Sequence, residues 1–287
     1  MLKLKLSYLS IPFVKRILIS NFKYLFSRLH NPIIYNFINQ EHGKNFGVSK
    51  KDRIKILKKI IKIINHINSA TSLESHIVLV KYLLSLPKIK KGYVVECGCF
   101  KGASSATISI ICKIIDRELI IYDSFEGLPK NADGKRANYL HLSLKEEYKR
   151  GMYRGDLATV KKNIEKFGNI EVCKFRKGFF EKTLPNHKEK IEFIFLDVDL
   201  PSSTKVCIKY LWKKLQTNSY VFTDDSCDME NIRIWFDNKW WNKLFNTNSP
   251  GYIGSGCGLP LNADHSGLGY TIKKPLHKNF SQINWHK

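Results

Sequence analysis

From Gly92 onward the chain alternates short apolar runs with longer segments of helical period, and this alternation limits the fold more than any other feature. YVVEC (93–97), LIIYD (119–123), EVCKF (171–175), IEFIFLDVD (191–199), SYVFTDD (219–225) and GYTIK (269–273) read as strands. Ala103–Ile115, Ala158–Phe167, Ser203–Leu215 and Asn231–Phe245 have helical spacing, and residues 130–155 read as a long polar loop with a short helix. Strands that alternate with helices pair in parallel, because each helix carries the chain back across the sheet. The expected fold is α/β: a doubly wound, mainly parallel sheet over residues 92–287. Residues 1–91 are expected to form a basic, largely helical N-terminal extension, with amphipathic helices over Lys50–Asn68 and from a capping Ser72 to Leu86.

The formal charge of +23 over 287 residues invites a nucleic-acid reading. The charge is uneven, however. Residues 1–92 hold 18 Lys and Arg against Glu41, Asp52 and Glu74, so +15 of it lies outside the catalytic domain. Nucleic acid is therefore not expected as a partner, and Lys-rich helix faces are ordinarily solvated surface. Residues 1–30 are apolar, aromatic and basic with no acid, and their longest uncharged run, Leu6 to Val14, falls short of the roughly 20 residues that a spanning helix needs. Such a segment suits a helix lying on an anionic membrane surface, at the inner face of the cytoplasmic membrane. Packing on the protein itself or on a second copy in a homo-oligomer stays open beside it. The seven cysteines are odd in number and form no CxxC pairs, which points to reduced thiols in the cytoplasm.

Two places carry chemistry. The first strand runs into Glu96-Cys97-Gly98-Cys99-Phe100-Lys101-Gly102, an ExGxxxG turn entering a helix. Gly98 permits a tight turn and Gly102 a close approach of the helix to a ligand, although packing alone also explains glycines here. Three glycines in GxGxxG are missing, so the turn fits a methionine-derived, positively charged cofactor facing Glu96 better than a pyrophosphate. Asp123 ends the second strand, where an acid can accept ribose hydroxyls. The second place is LDVDLPSST, with Asp197 and Asp199 one residue apart and on one side of a continuing strand. Asp224 and Asp225 close the next strand. Ligands in doubly wound sheets bind beyond these strand ends. Four acids there would raise one another's pKa, and a hard divalent cation, Mg²⁺, Mn²⁺ or Ca²⁺, would relieve them. The plainer alternative is helix capping by Asp199 and Asp225.

VECGCFKGASSATIS, YDSFEGLP, KGFFEKTLP, LDVDLPSST and FTDD, in that order over about residues 92–245, resemble the macrocin O-methyltransferase family. The resemblance implies a Rossmann-like class I methyltransferase fold, S-adenosylmethionine as donor, Mg²⁺ held by aspartates, and a small-molecule or glycan acceptor methylated on a sugar hydroxyl. It makes Asp197, Asp224 and Asp225 metal ligands and Asp199 the general base. Glu96, Gly98, Asp123 and Ser124 become cofactor contacts, with Gly178 and Phe179 along the adenine. Pro201 and Ser226 depart from the family's aromatic residues beside the acceptor. The Gly-rich stretch 250–261 reads either as a loop over the site or as a structural turn. A metal-dependent DxD glycosyltransferase and an RNA methyltransferase are the alternatives.

Overall fold

The computed structural model describes residues 32–89, 92–130, 133, 148–253 and 268–274. Strands β1 (Tyr93–Cys97), β2 (Leu119–Asp123), β3 (Cys173–Lys177), β4 (Ile191–Leu196), β5 (Leu215–Thr223) and β6 (Gly269–Ile272) form one sheet. Their order is β3-β2-β1-β4-β5-β6, parallel except for β6, which runs antiparallel to β5. Chain order thus runs outward in both directions from β1 and β4, and the crevice of a doubly wound sheet opens between those two strands.

Every strand alternates its side chains between two helical layers. Val94, Leu119, Ile121, Phe193, Phe195 and Phe222 pack under α1 (Pro32–Asn39), α2 (Lys50–His66), α3 (Leu73–Leu83), α4 (Ala103–Ile114) and α5 (Leu157–Phe167). Val95, Ile120, Ile194, Leu196 and Val221 face α6 (Phe180–Thr183), α7 (Pro201–Leu211), α8 (Met229–Ile234) and α9 (Asn238–Phe245). Helices α1–α3 belong to the same hydrophobic cluster as the sheet, so packing is continuous across the boundary expected at residue 91. Arg53, 5% exposed, ties the α1–α2 connection by donating to the carbonyls of Ile38, His42 and Val48.

Several boundaries differ from the sequence reading. β3 starts at Cys173, because Ile170–Val172 form a 3-10 turn. β4 stops at Leu196, short of both aspartates, and β5 at Thr223. α7 ends at Leu211 and β5 has begun by Leu215; the Lys273 ammonium donates to the carbonyls of Trp212 and Leu215 at 2.8 and 2.7 Å and closes that helix end. The helical run 231–245 is two helices, because Asp228 caps α8 and Asp237 caps α9. Residues 1–30, most of the loop 250–261 and most of the segment expected to carry a short helix within 130–155 lie outside the described residues. Among those described, no helix is long and apolar enough to cross a membrane.

Candidate active site at the strand ends

Register brings the motifs together. Cys97 pairs with Tyr122 on one side and Leu196 on the other, and Leu196 pairs with Thr223. The residues that follow therefore leave the sheet side by side. Gly98 N–H donates to the Tyr122 carbonyl, Asp197 N–H to Cys97 and Asp224 N–H to Leu196, at 2.9, 2.9 and 3.0 Å.

Gly98 turns the chain with φ +81°, and a Cβ there would lie 1.8 Å from the Asp197 carbonyl oxygen. This glycine is required by the backbone of the acid motif itself. Gly102, also at positive φ, caps α4, but its missing Cβ faces Val160 and Ile164 of α5 rather than open space. Its glycine serves helix packing, a correction to its expected place against a ligand. The Asp123 carboxylate is pinned from both sides: Oδ2 accepts from Cys99 N–H at 2.7 Å and Oδ1 from Phe125 N–H at 2.6 Å. Burial raises its pKa against those bonds and against further ones from the Cys99 thiol and Phe100 N–H. The Ser124 hydroxyl donates to the Gly127 carbonyl at 2.8 Å and accepts from Glu126 N–H at 3.0 Å. It thereby holds the turn of FEGL.

Glu96 lies on the α4 side of β1 and is fully buried. Its Oε2 accepts from the Ser105 hydroxyl, while Oε1 is buried without a partner. That orphaned oxygen fits a cofactor bearing a positive charge or a donor. Burial pushes its pKa from 4.5 to about 7, with Ser104 and Ser105 opposing and Asp123 adding to the rise. An acid whose pKa is higher folded than unfolded loses stability as the unfolded chain ionises first. Its contribution is therefore intact below about pH 4.5 and is lost as pH climbs to about 7. Glu96→Gln is expected to flatten this part of the stability–pH curve, measured as urea midpoints across that window. An unchanged slope would mean that Glu96 ionises freely in the native protein.

Gly178 N–H donates to the Asp123 carbonyl at 2.9 Å, which docks the end of β3 against the end of β2. Phe179 follows and, with Phe125, Lys177 and Arg154, lines a cleft of about 430 Å³ at the β2 and β3 tips. The cleft carries Phe125 and Phe179 among mostly charged and polar lining residues.

The four acids sit across the crevice. Asp199 is not on a continuing strand: it has φ +61°, and Leu200 N–H donates to the Val198 carbonyl at 2.6 Å, closing a three-residue γ-turn around it. The pleat therefore does not set its direction, contrary to the sequence-based expectation. Asp199 N–H donates to Asp225 Oδ2, and its carbonyl accepts from Asn231 Nδ2, each at 3.0 Å. Asn231 is itself fixed by the Thr204 hydroxyl at 2.8 Å. Neither aspartate caps a helix. Asp228 caps α8, and the Ser202 N–H of α7 donates to Asp133 Oδ2 at 3.2 Å. The capping alternative for Asp199 and Asp225 is thereby removed. Burial, then Asp224, Asp199, Asp225 and Glu96, hold the pKa of Asp197 well above the carboxylate range. Asp197 Oδ2 also accepts from the Thr71 hydroxyl at 3.4 Å, so the lead-in to α3 reaches the acid edge.

Among the described residues no group of three or more His, Cys, Asp or Glu side chains is arranged to hold a metal ion. Asp197, Asp224 and Asp225 share an edge, as expected, without standing in a ready-made ligand arrangement. Asp225 spends one carboxylate oxygen on Asp199 N–H. Sequence reasoning missed Thr71, Asn231 and Ser105. Ser105 was open to it, one helical turn past the glycines. Thr71 is 126 residues from its partner and carries no local signal.

Residues 87–244 match the family model described as macrocin-O-methyltransferase. A curated relative, mycinamicin III 3''-O-methyltransferase of Micromonospora griseorubida, is 26% identical over 141 residues, 47% of this chain. The match spans only 56% of that relative's own length. Among solved structures, the O-methyltransferase NovP aligns over 89% of this chain and 100% of its own, with TM-score 0.49 and 17% identity. The calicheamicin methyltransferase CalS11 aligns over 89% and 91%, with TM-score 0.49 and 15% identity. Both scores fall below 0.5, so the class I fold rests on the strand order and the family match.

Proposed function

Because the chain belongs to the macrocin O-methyltransferase family, we propose that it methylates a sugar hydroxyl from S-adenosylmethionine, with Asp199 as the general base. The observation that carries this reading is the γ-turn that holds Asp199 between Asp225 and Asn231, one strand from the Gly98 turn. Backbone strain at an acid on the crevice edge calls for a function. When bound, S-adenosylmethionine supplies an electrophilic methyl group. The protein has then to hold it and to remove one proton. Asp123 would accept the ribose hydroxyls, Phe179 would lie along the adenine, and Glu96 would face the charged end. Asp199 would take the proton of the acceptor hydroxyl onto its carboxylate as the O–C bond forms and the methyl–sulfur bond breaks, the neutral thioether S-adenosylhomocysteine leaving. The acceptor is a glycan precursor or a glycoside, and Pro201 and Ser226 beside the base shape its fit.

Mg²⁺ belongs to this reading on donor chemistry alone: four crowded carboxylates favour a hard divalent ion. Asp197, Asp224 and Asp225 are the residues that would hold it, and no step above depends on it. Calorimetry is expected to show saturable binding of S-adenosylmethionine, and methyl transfer is expected to stop with EDTA and return with Mg²⁺. No cofactor binding with or without Mg²⁺ would sink the whole reading. Transfer that ignores EDTA would remove only the metal.

A further inference from the structure

The outer face of α2 has an arrangement that a solvated helix face does not need. Lys51, Lys55, Lys58 and Lys62 recur at spacings of four, three and four, so they form one stripe along the helix, and all four are exposed. Lys59 flanks it. Like charges three or four apart on a helix repel, each pair destabilising by an amount comparable to what an opposite pair contributes. Five such pairs occur here: 51–55, 55–59, 58–62, 55–58 and 59–62. The helix holds a single acid, Asp52, which sits in the first turn and is shared between the Ser49 cap and Lys55.

The stripe does not end with the helix. Lys62 lies over the ring of Phe167 at 5.9 Å, His66 packs against that ring at 5.3 Å, and Lys166 lies over it at 5.2 Å. Phe167 closes α5, so the basic surface crosses to a second helix and continues one turn back to the exposed Lys162. Glu165 is the one acid of α5 beside it. Two helices far apart in sequence thus present one cationic face.

We propose that this face docks the protein on an anionic lipid bilayer. Charge complementarity selects a polyanionic partner, and the residue type selects among polyanions. All the cations named are lysines, point charges that answer a diffuse surface potential, whereas arginine forks are favoured for bidentate phosphate contacts to nucleic acid. The chain that enters α1 is in addition acid-free and mixes basic with Leu, Ile and Phe residues over positions 1–30, a composition suited to the same interface. Lys50, at the start of α2, bonds Asn39 at the end of α1 at 2.8 Å, which keeps α2 beside the point where that stretch joins the fold. The inference stands apart from the acceptor's identity and from the methyltransferase chemistry.

The test is sedimentation of the full chain with vesicles of phosphatidylcholine, with and without 30% phosphatidylglycerol (about a third anionic headgroups), at two salt concentrations. Each basic residue near such a surface contributes to binding, so Lys55→Gln/Lys58→Gln/Lys59→Gln/Lys62→Gln is expected to weaken binding by roughly 100-fold or more. Raising the salt is expected to release the wild type. Cofactor binding by the variant should match the wild type, which shows that the fold is intact. A variant that binds anionic vesicles like the wild type overturns the proposal. So does equal binding of the wild type to neutral vesicles, or binding of single-stranded RNA with no binding to anionic vesicles.

Discussion

Asp199→Asn is expected to lower kcat for methyl transfer by roughly 10²–10⁴-fold, the range for losing a general base, with cofactor affinity essentially unchanged. The change is informative because little else moves. Asn has the shape of Asp and shares its tolerance for positive φ, so the γ-turn at φ +61° survives. Two bonds that hold residue 199 use its backbone, its N–H on Asp225 and its carbonyl on Asn231, and Asn keeps both. The proton acceptor is lost. A comparison with Asn231→Ala separates base from support. Without the Nδ2 bond the carbonyl of Asp199 is untethered, yet its carboxylate remains, so activity should fall less and cofactor binding should stay. Single-turnover kinetics on the true acceptor decide the matter. Undiminished transfer by Asp199→Asn rules the residue out as base. Lost cofactor binding would make it a cofactor contact instead.

The sheet was legible in the sequence because buried parallel strands are almost purely apolar. YVVEC, LIIYD and IEFIF need no context to be read, and all three fall in the centre of the sheet. What failed was the reading of how strands end. IEFIFLDVD looks like one continuous strand, yet the backbone leaves the ladder at Leu196. A γ-turn at a non-glycine residue has no compositional signature, so the direction of Asp199 could not be argued from the pleat. The EVCKF strand slipped by two residues for a related reason: Glu171 and Val172 serve a 3-10 turn. At the site, Glu96, Gly98, Asp123, Asp197 and Asp224 were readable because consecutive strand ends of a doubly wound sheet must converge. Thr71 on Asp197 and Asp133 on the start of α7 were not, because both are tertiary contacts between segments of unrelated local pattern. Gly102 shows the opposite error. A glycine in a cofactor-type motif was given to the ligand, and α5 occupies the space.

Gly98→Ala is expected to cost at least about 4 kcal/mol of stability, beyond the usual range for a single substitution, and to weaken cofactor binding. Two effects add. An alanine at φ +81° bears left-handed strain of roughly 1–2 kcal/mol. The larger effect is the collision of its Cβ with the Asp197 carbonyl oxygen at 1.8 Å, which no rotamer change relieves because the obstacle is backbone. Both backbones are also fixed, Gly98 N–H on Tyr122 and Asp197 N–H on Cys97, so separating them breaks sheet-end hydrogen bonds. Gly102→Ala makes the contrast. It bears similar strain at φ +85°, but its nearest obstacle is Val160 Cγ1 at 3.1 Å, a side chain that can give way. That variant should lose only about 1–2 kcal/mol and keep the cofactor. Urea unfolding with cofactor calorimetry on both variants is the measurement. Equal losses would mean that the Gly98 turn is not locked to the acid motif. If Gly98→Ala does fold, relief has to come from shifting Asp197 and with it the turn that aims Asp199. Such a protein should show kcat falling further than its cofactor affinity, because one glycine sets the spacing between the cofactor turn and the base.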